Sequence, residues 1–162
     1  MAIKIGSGGN NILNGTSGSD DGTHHPLRTI RQVADAALGE LAGELAKLRS
    51  ERLRRPSIPP ERLLCAMLLQ AFYGIRSEHH LMDRMEADHA FRWFVGLETD
   101  DAAWDHWSFA THRDRLLAGA TARKFLAAVI VHPQVKRLLA SDDFSVDGVL
   151  LLAWASGRRL RH

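Results

Sequence analysis

A mainly α protein is what this sequence predicts: a helical bundle with a helix–turn–helix-like core, followed by an incomplete strand or hairpin. Three stretches carry that expectation. Leu63, Leu64, Ala66, Met67, Leu68, Leu69, Ala71 and Phe72 follow one another almost without interruption, and a helix apolar nearly all round has to be enclosed by other helices. Residues 29–49 place Ile30, Val33, Ala34, Ala37, Leu38, Leu41, Leu45 and Leu48 at helical spacing, as one apolar stripe. Residues 144–154, FSVDGVLLLAW, run together β-formers and apolar residues around one Asp-Gly, the pattern of a strand or of two short strands.

Composition sets the bounds. At 162 residues, with 45% hydrophobic and 25% charged residues, the chain has the make-up of a globular protein with a core of its own. The formal charge is only +2, but it is distributed in blocks: net positive from Arg28 to Arg55, strongly acidic from Glu78 to Asp105, and positive again from His112 to Arg137. Blocks of this kind mark distinct faces, some suited to phosphate. A single cysteine, Cys65, lies inside the apolar helix; it excludes an internal disulfide framework and reads as a buried thiol in a reducing compartment. No run reaches the roughly 18 apolar residues of a membrane span, and the N-terminus lacks the charged-then-apolar order of a secretory signal. The expected setting is cytoplasmic, with no membrane partner.

Three regions follow in order. Residues 1–25 form a Gly/Ser/Asn/Asp-rich leader, expected to be flexible. Its Gly9-Asn10-Asn11 and Gly18-Ser19-Asp20 resemble two degenerate copies of the nonapeptide calcium repeat of secreted RTX proteins, too few to stack into a stable roll. Asp20, Asp21, His24 and His25 offer at most loose metal contacts. Residues 26–140 are the helical domain. Thr29 or the residues just before it cap the first helix, which Gly39 and Gly43 weaken by about 1 kcal/mol each relative to Ala. Arg49, Arg52, Arg54 and Arg55 then form either a solvated connector or an arm that contacts phosphate.

The pair Pro59-Pro60 suits a helix entrance, because first-turn N–H groups are unpaired in any case. Gly74 ends that helix, and Ser77 caps the next, whose stripe is Leu81, Met82 and Met85. Phe91, Trp93, Phe94, Val95 and Leu97 close over both. Ser108 is the expected cap of a short helix that faces Phe109, Leu116 and Leu117 inward. His112, Arg113 and Arg115 project outward, toward nucleic acid or toward the acidic block upstream. Residues 121–131 read as another buried helix, ended or interrupted by Pro133, with a further short turn of helix at Val135 to Leu139. Residues 141–162 hold the expected strand and a basic tail; a lone strand leaves its hydrogen bonds incomplete.

Several of these stretches together resemble the N-terminal part of InsH-type transposases, the insertion-sequence-five family. They are HPLRTIRQV at 25–33, RPSIPPERLL at 55–64, LLQAFYGIRSEHHLMDRM at 68–85, FRWFVGL at 91–97, WDHWSF at 104–109 leading to HRDRLL at 112–117, FSVDG at 144–148 and AWAS at 153–156. The resemblance implies a helical DNA-binding region followed by a ribonuclease-H-like catalytic domain, of which residues 141–162 would be the truncated start. It implies Mg²⁺ held by three carboxylates, the DDE set, with two ions clamping the attacking and leaving oxygens of a phosphodiester. Asp147 matches the first carboxylate and so the metal position. The sequence departs from the family at Val149, where Thr is usual, and at Leu152, where Glu is usual; the second Asp and the Glu do not occur before His162. The expectation is therefore DNA binding at terminal inverted repeats, with no cofactor and no catalysis by this chain alone, and Asp147 serving as a turn residue before Gly148.

Contributors to DNA binding are expected at Arg54, Arg55, Arg76, His79, His112, Arg113 and Arg115. The helix at 77–86 carries Glu78, Asp83 and Glu86 against one Arg84, so the helix at 108–117 is the better reading element. Expected partners are transposon ends, a second copy of the chain, or a full-length transposase. The alternatives are half of a split transposase completed by a second chain, a calcium-binding module, and a gene fragment without function.

Overall fold

A computed structural model describes residues 25–51 and 58–156 of the chain. Every regular element among them is a helix: α1 (Pro26–Glu40), α2 (Ala42–Glu51), α3 (Pro60–Tyr73), α4 (Glu78–Ala87), α5 (His89–Val95), α6 (His106–Ala118), α7 (Thr121–Ile130), α8 (Pro133–Leu139) and α9 (Gly148–Ala155). The mainly α bundle is as expected. No helix among the described residues is long and apolar enough to cross a membrane.

Helix α3 lies at the centre. Leu63 to Leu69, Ala71 and Phe72 are all fully buried, and α2, α5, α6, α7 and α9 pack around it. It opens on Pro59-Pro60 with no side-chain cap and closes on Gly74 in the left-handed region, φ 65°. Ser77 then caps α4 by accepting from His80 N at 3.2 Å, and Leu81, Met82 and Met85 are its buried stripe. Both α5 and α6 pack on α3 and on α4, and so join the two members of the expected core.

Several boundaries differ from expectation, each for a local reason. The single helix expected over 29–49 is two, broken at Leu41 (φ −99°, ψ 13°) between Gly39 and Gly43; the weak helix formers let the chain turn where α2 swings to meet α3. The cap of α1 is His25, whose Nδ1 accepts from Leu27 N at 3.2 Å. The cap of α6 is Asp105, not Ser108: its Oδ2 accepts from Ser108 N at 3.0 Å. Pro133 does end α7, and it also opens α8 at the first helical position, behind the His132 cap.

The largest correction concerns residues 148–155, which are a helix and not a strand or hairpin. No strand lies among the described residues to pair with, and a helix satisfies its own N–H and C=O groups where a lone strand cannot. Asp147 caps it, its Oδ1 accepting from Leu150 N at 3.0 Å. Leu150, Ala153 and Trp154, at i, i+3 and i+4, are buried on the side that meets α7 and α3.

Two arginines tie helix ends together. Arg31 on α1 is 2% exposed; its Nη1 donates to Phe94 O at 2.7 Å and to Cys65 Sγ at 2.8 Å, and its Nη2 meets Asp35 at 3.0 Å. It thus joins α1, α3 and α5. Arg92 on α5 donates to the carbonyls of Met85, Glu98 and Asp101 and seats the acidic loop after Leu97.

Two glycine substitutions are expected to shift stability in opposite directions. A Cβ at Gly74 would meet Ser145 O at 2.7 Å and force a left-handed φ on alanine, so Gly74→Ala destabilises by about 2 kcal/mol or more. At Gly39 nothing lies within 4 Å of the added Cβ, so Gly39→Ala stabilises by about 0.5–1 kcal/mol. Urea unfolding midpoints check both.

Candidate nucleic-acid interface

Three of the residues nominated from sequence, Arg76, His79 and Arg113, lie at the entrance of α4. The turn from Gly74 to Ser77 comes off the buried end of α3 and is clamped from behind by residues 144–147. Phe144 packs its ring against Tyr73 (centroids 5.1 Å apart) and Phe72 (6.2 Å). Asp147 N donates to Ala71 O at 2.7 Å, satisfying a last-turn carbonyl that α3 itself leaves unpaired. The Asp147 side chain is 7% exposed and reaches across to Arg76: Nε donates to Oδ2 at 2.6 Å and Nη2 to Oδ1 at 3.3 Å. Arg76 itself is 63% exposed.

Next along the chain, His79 stacks on His106, at the start of α6, with ring centroids 3.6 Å apart and planes 29° apart. Trp107 follows, 73% exposed. Glu78 accepts from Arg113 Nη1 at 2.8 Å, and the same nitrogen donates to Gln70 Oε1 at 3.3 Å. Arg113 is only 12% exposed, and its guanidinium lies 5.6 Å from the Phe109 ring centroid. It does not project outward; of the two roles open to it, the structure realises pairing with the acidic block. His112 Nδ1 lies 2.6 Å from Ser108 O, one turn back on its own helix; a carbonyl only accepts, so that nitrogen carries the proton. Arg115 is exposed. Arg54 and Arg55, like Asp20, Asp21 and His24, lie outside the described residues.

His106 and Trp107 were not among the nominated residues. The signal was present in WDHWSF: with Asp105 as the cap, both fall in the first turn of α6, His106 half-buried and Trp107 exposed, whereas a cap at Ser108 leaves them in a loop.

The acidic block is largely committed to local structure. Asp88 caps α5, accepting from Ala90 N and Phe91 N; Asp101 accepts from Glu98 N; Glu86 accepts from Ala103 N at 2.7 Å; Asp105 caps α6. These carboxylates serve as helix caps and loop anchors.

Asp147 is also the position that the resemblance assigns to metal, and the residues around it do not fit a Mg²⁺ site. Both of its oxygens face donors, Arg76 and Leu150 N, and no group of three or more His, Cys, Asp or Glu side chains suited to a metal occurs among the described residues. Mg²⁺ needs near-octahedral oxygen ligands, which the residues around Asp147 do not supply.

Taken together, the fold and this corner define a helical domain with a cationic and aromatic edge at the start of two helices. The chain belongs to a transposase family: the model of the transposase domain DUF772 matches residues 19–115, more than half of its length and all of α1 to α5 with most of α6. No curated protein and no solved structure matches it significantly.

The Arg76 hydrogen bonds hold the Asp147 carboxyl below its ordinary value of 3.8; burial opposes this, and the Leu150 N–H adds to the lowering. A carboxylate lowered in the folded state contributes stability that is present above its unfolded value and is lost as pH falls through the folded one. Stability should therefore fall in acid, between about pH 5 and pH 2, and Asp147→Asn should flatten that fall. Urea midpoints across this range, for both proteins, measure it.

Proposed function

We propose that this chain is the DNA-binding part of an InsH-type transposase of the insertion-sequence-five family, engaging the terminal inverted repeats of its element and performing no strand cleavage by itself. The observation that carries the reading is the corner just described. Arg76, His79 and Trp107 stand exposed together with the His106 ring at the entrance of α4 and α6, within the part of the chain that matches a transposase domain. Arginine and aromatic side chains suit base edges and sugar–phosphate, and Arg115 adds an exposed charge further along α6. The engagement of Asp88 and Asp105 as caps, and of Glu78, Glu86 and Asp101 in local contacts, supports this reading of so negative a segment.

This reading transfers the better site from α6 alone to the junction of α4 with α6, since Arg113 is internal. The commitment of both Asp147 oxygens supports binding without chemistry.

Fluorescence anisotropy with labelled duplexes tests it. Ends of the encoding element should bind more tightly than scrambled duplexes, with log affinity falling linearly against log salt. Equal affinity for both duplexes, or binding indifferent to salt, would contradict the proposal.

A further inference from the structure

The Arg76–Asp147 pair has a geometry that a simple phosphate contact does not need. Asp147 is fixed by two bonds besides the pair to Arg76: its N–H donates to Ala71 O and its Oδ1 accepts from Leu150 N. The ring packing of Phe144 holds the same segment on α3. Arg76 therefore leans on a rigid anchor through its Nε and Nη2 edge. Its Nη1 makes no hydrogen bond among the described residues, and the side chain is mostly exposed. The result is a surface guanidinium whose direction is set from beneath and whose charge is already balanced.

That combination separates two kinds of DNA contact. Attraction to phosphate depends on net charge, which Asp147 cancels locally. Recognition of a base edge depends on direction, because a guanidinium must present two donors in plane to guanine O6 and N7. An arginine held by a carboxylate keeps its charge, has it offset from beneath, and gains direction. We propose that Arg76 reads a guanine in the major groove and that Asp147 is its positioning residue. This rests on the DNA-binding reading and goes beyond it, in assigning the base and in giving Asp147 a role without metal. Arg76 stands immediately before the cap of α4, at the leading end of the second helix of the α3–α4 pair, where helices of this arrangement meet base edges.

The test is site selection from a random duplex pool with the whole chain, followed by salt-series binding to the selected site. The comparison site has its guanine replaced by a deaza analogue lacking the N7 acceptor. The wild-type chain should select a site with one strongly preferred guanine and lose about tenfold in affinity on the analogue. Arg76→Lys, which leaves Asp147 and its helix cap in place, should bind both sites alike while keeping the salt slope, because lysine is a point charge without a fork. Asp147→Asn retains an oxygen for the cap; it should lose the guanine preference and steepen the salt slope by about one phosphate, as the released guanidinium turns to the backbone. Circular dichroism confirms that each variant is folded.

Three results would overturn the proposal. Either variant could discriminate against the analogue as the wild type does. Arg76→Lys could weaken all sequences equally. The wild type could bind its selected site with no loss on the analogue. These leave the DNA-binding reading standing. Absence of any salt-dependent binding by the wild-type chain overturns both.

Discussion

Helix α3 has no face to leave in water. With its side chains buried from Leu63 to Phe72, the bundle is obliged to wrap it, and five helices do. Its two buried polar residues decide how some of them seat. Glu61, 5% exposed at the side chain, takes Arg49 of α2 at 2.7 Å. Gln70 donates to Ile75 O at 3.2 Å and accepts from Arg113 of α6. A buried polar group without a partner costs about 1–3 kcal/mol, so these contacts fix the approach of α2, the turn after Gly74, and α6. The placement of the α4 entrance, and with it the candidate DNA-facing corner, follows from enclosing α3.

The same logic explains why so many arginines are internal. A bundle of short helices has many terminal carbonyls that the helices cannot pair. Arg31 takes Phe94 O, and Arg92 takes four carbonyls at the end of α4 and in the loop after α5. Arg113 ties α6 to α3 and α4. Each is a long side chain carrying several donors into a gap between elements. Net charge by segment therefore overstates what is available to DNA. Of the nominated arginines among the described residues, Arg76 and Arg115 stay exposed, and Arg76 stands out because its anchor is beneath the surface rather than on it.

Much of this was legible in the sequence. The unbroken apolar run of α3, the Gly74 stop, the Ser77 cap and the α4 stripe depend on neighbours within a few residues, and they fell where expected. The break at Leu41 was visible only as two weak helix formers, since the turn depends on α2 finding α3. The cap at Asp105 was hidden by an equally plausible Ser108 three residues on. The helix at 148–155 was misread as a strand because periodicity cannot type a short apolar run; what decides it is the lack of a strand to pair with and the cap at Asp147. Arg113 could not be assigned from sequence at all: Glu78 is 35 residues away, and only the packing of α6 on α4 brings them together.

Residues 144–155 pack on α3 and α7 and hold the α4 entrance in place, so that Asp147 and Arg76 form one unit. Backbone chemical shifts of the whole chain in solution test this most directly, together with nuclear Overhauser contacts from the Phe144 ring. Helical Cα shifts over 148–155 with contacts from Phe144 to Tyr73 are predicted. Extended shifts there, or a Phe144 ring without contact to α3, would contradict the account.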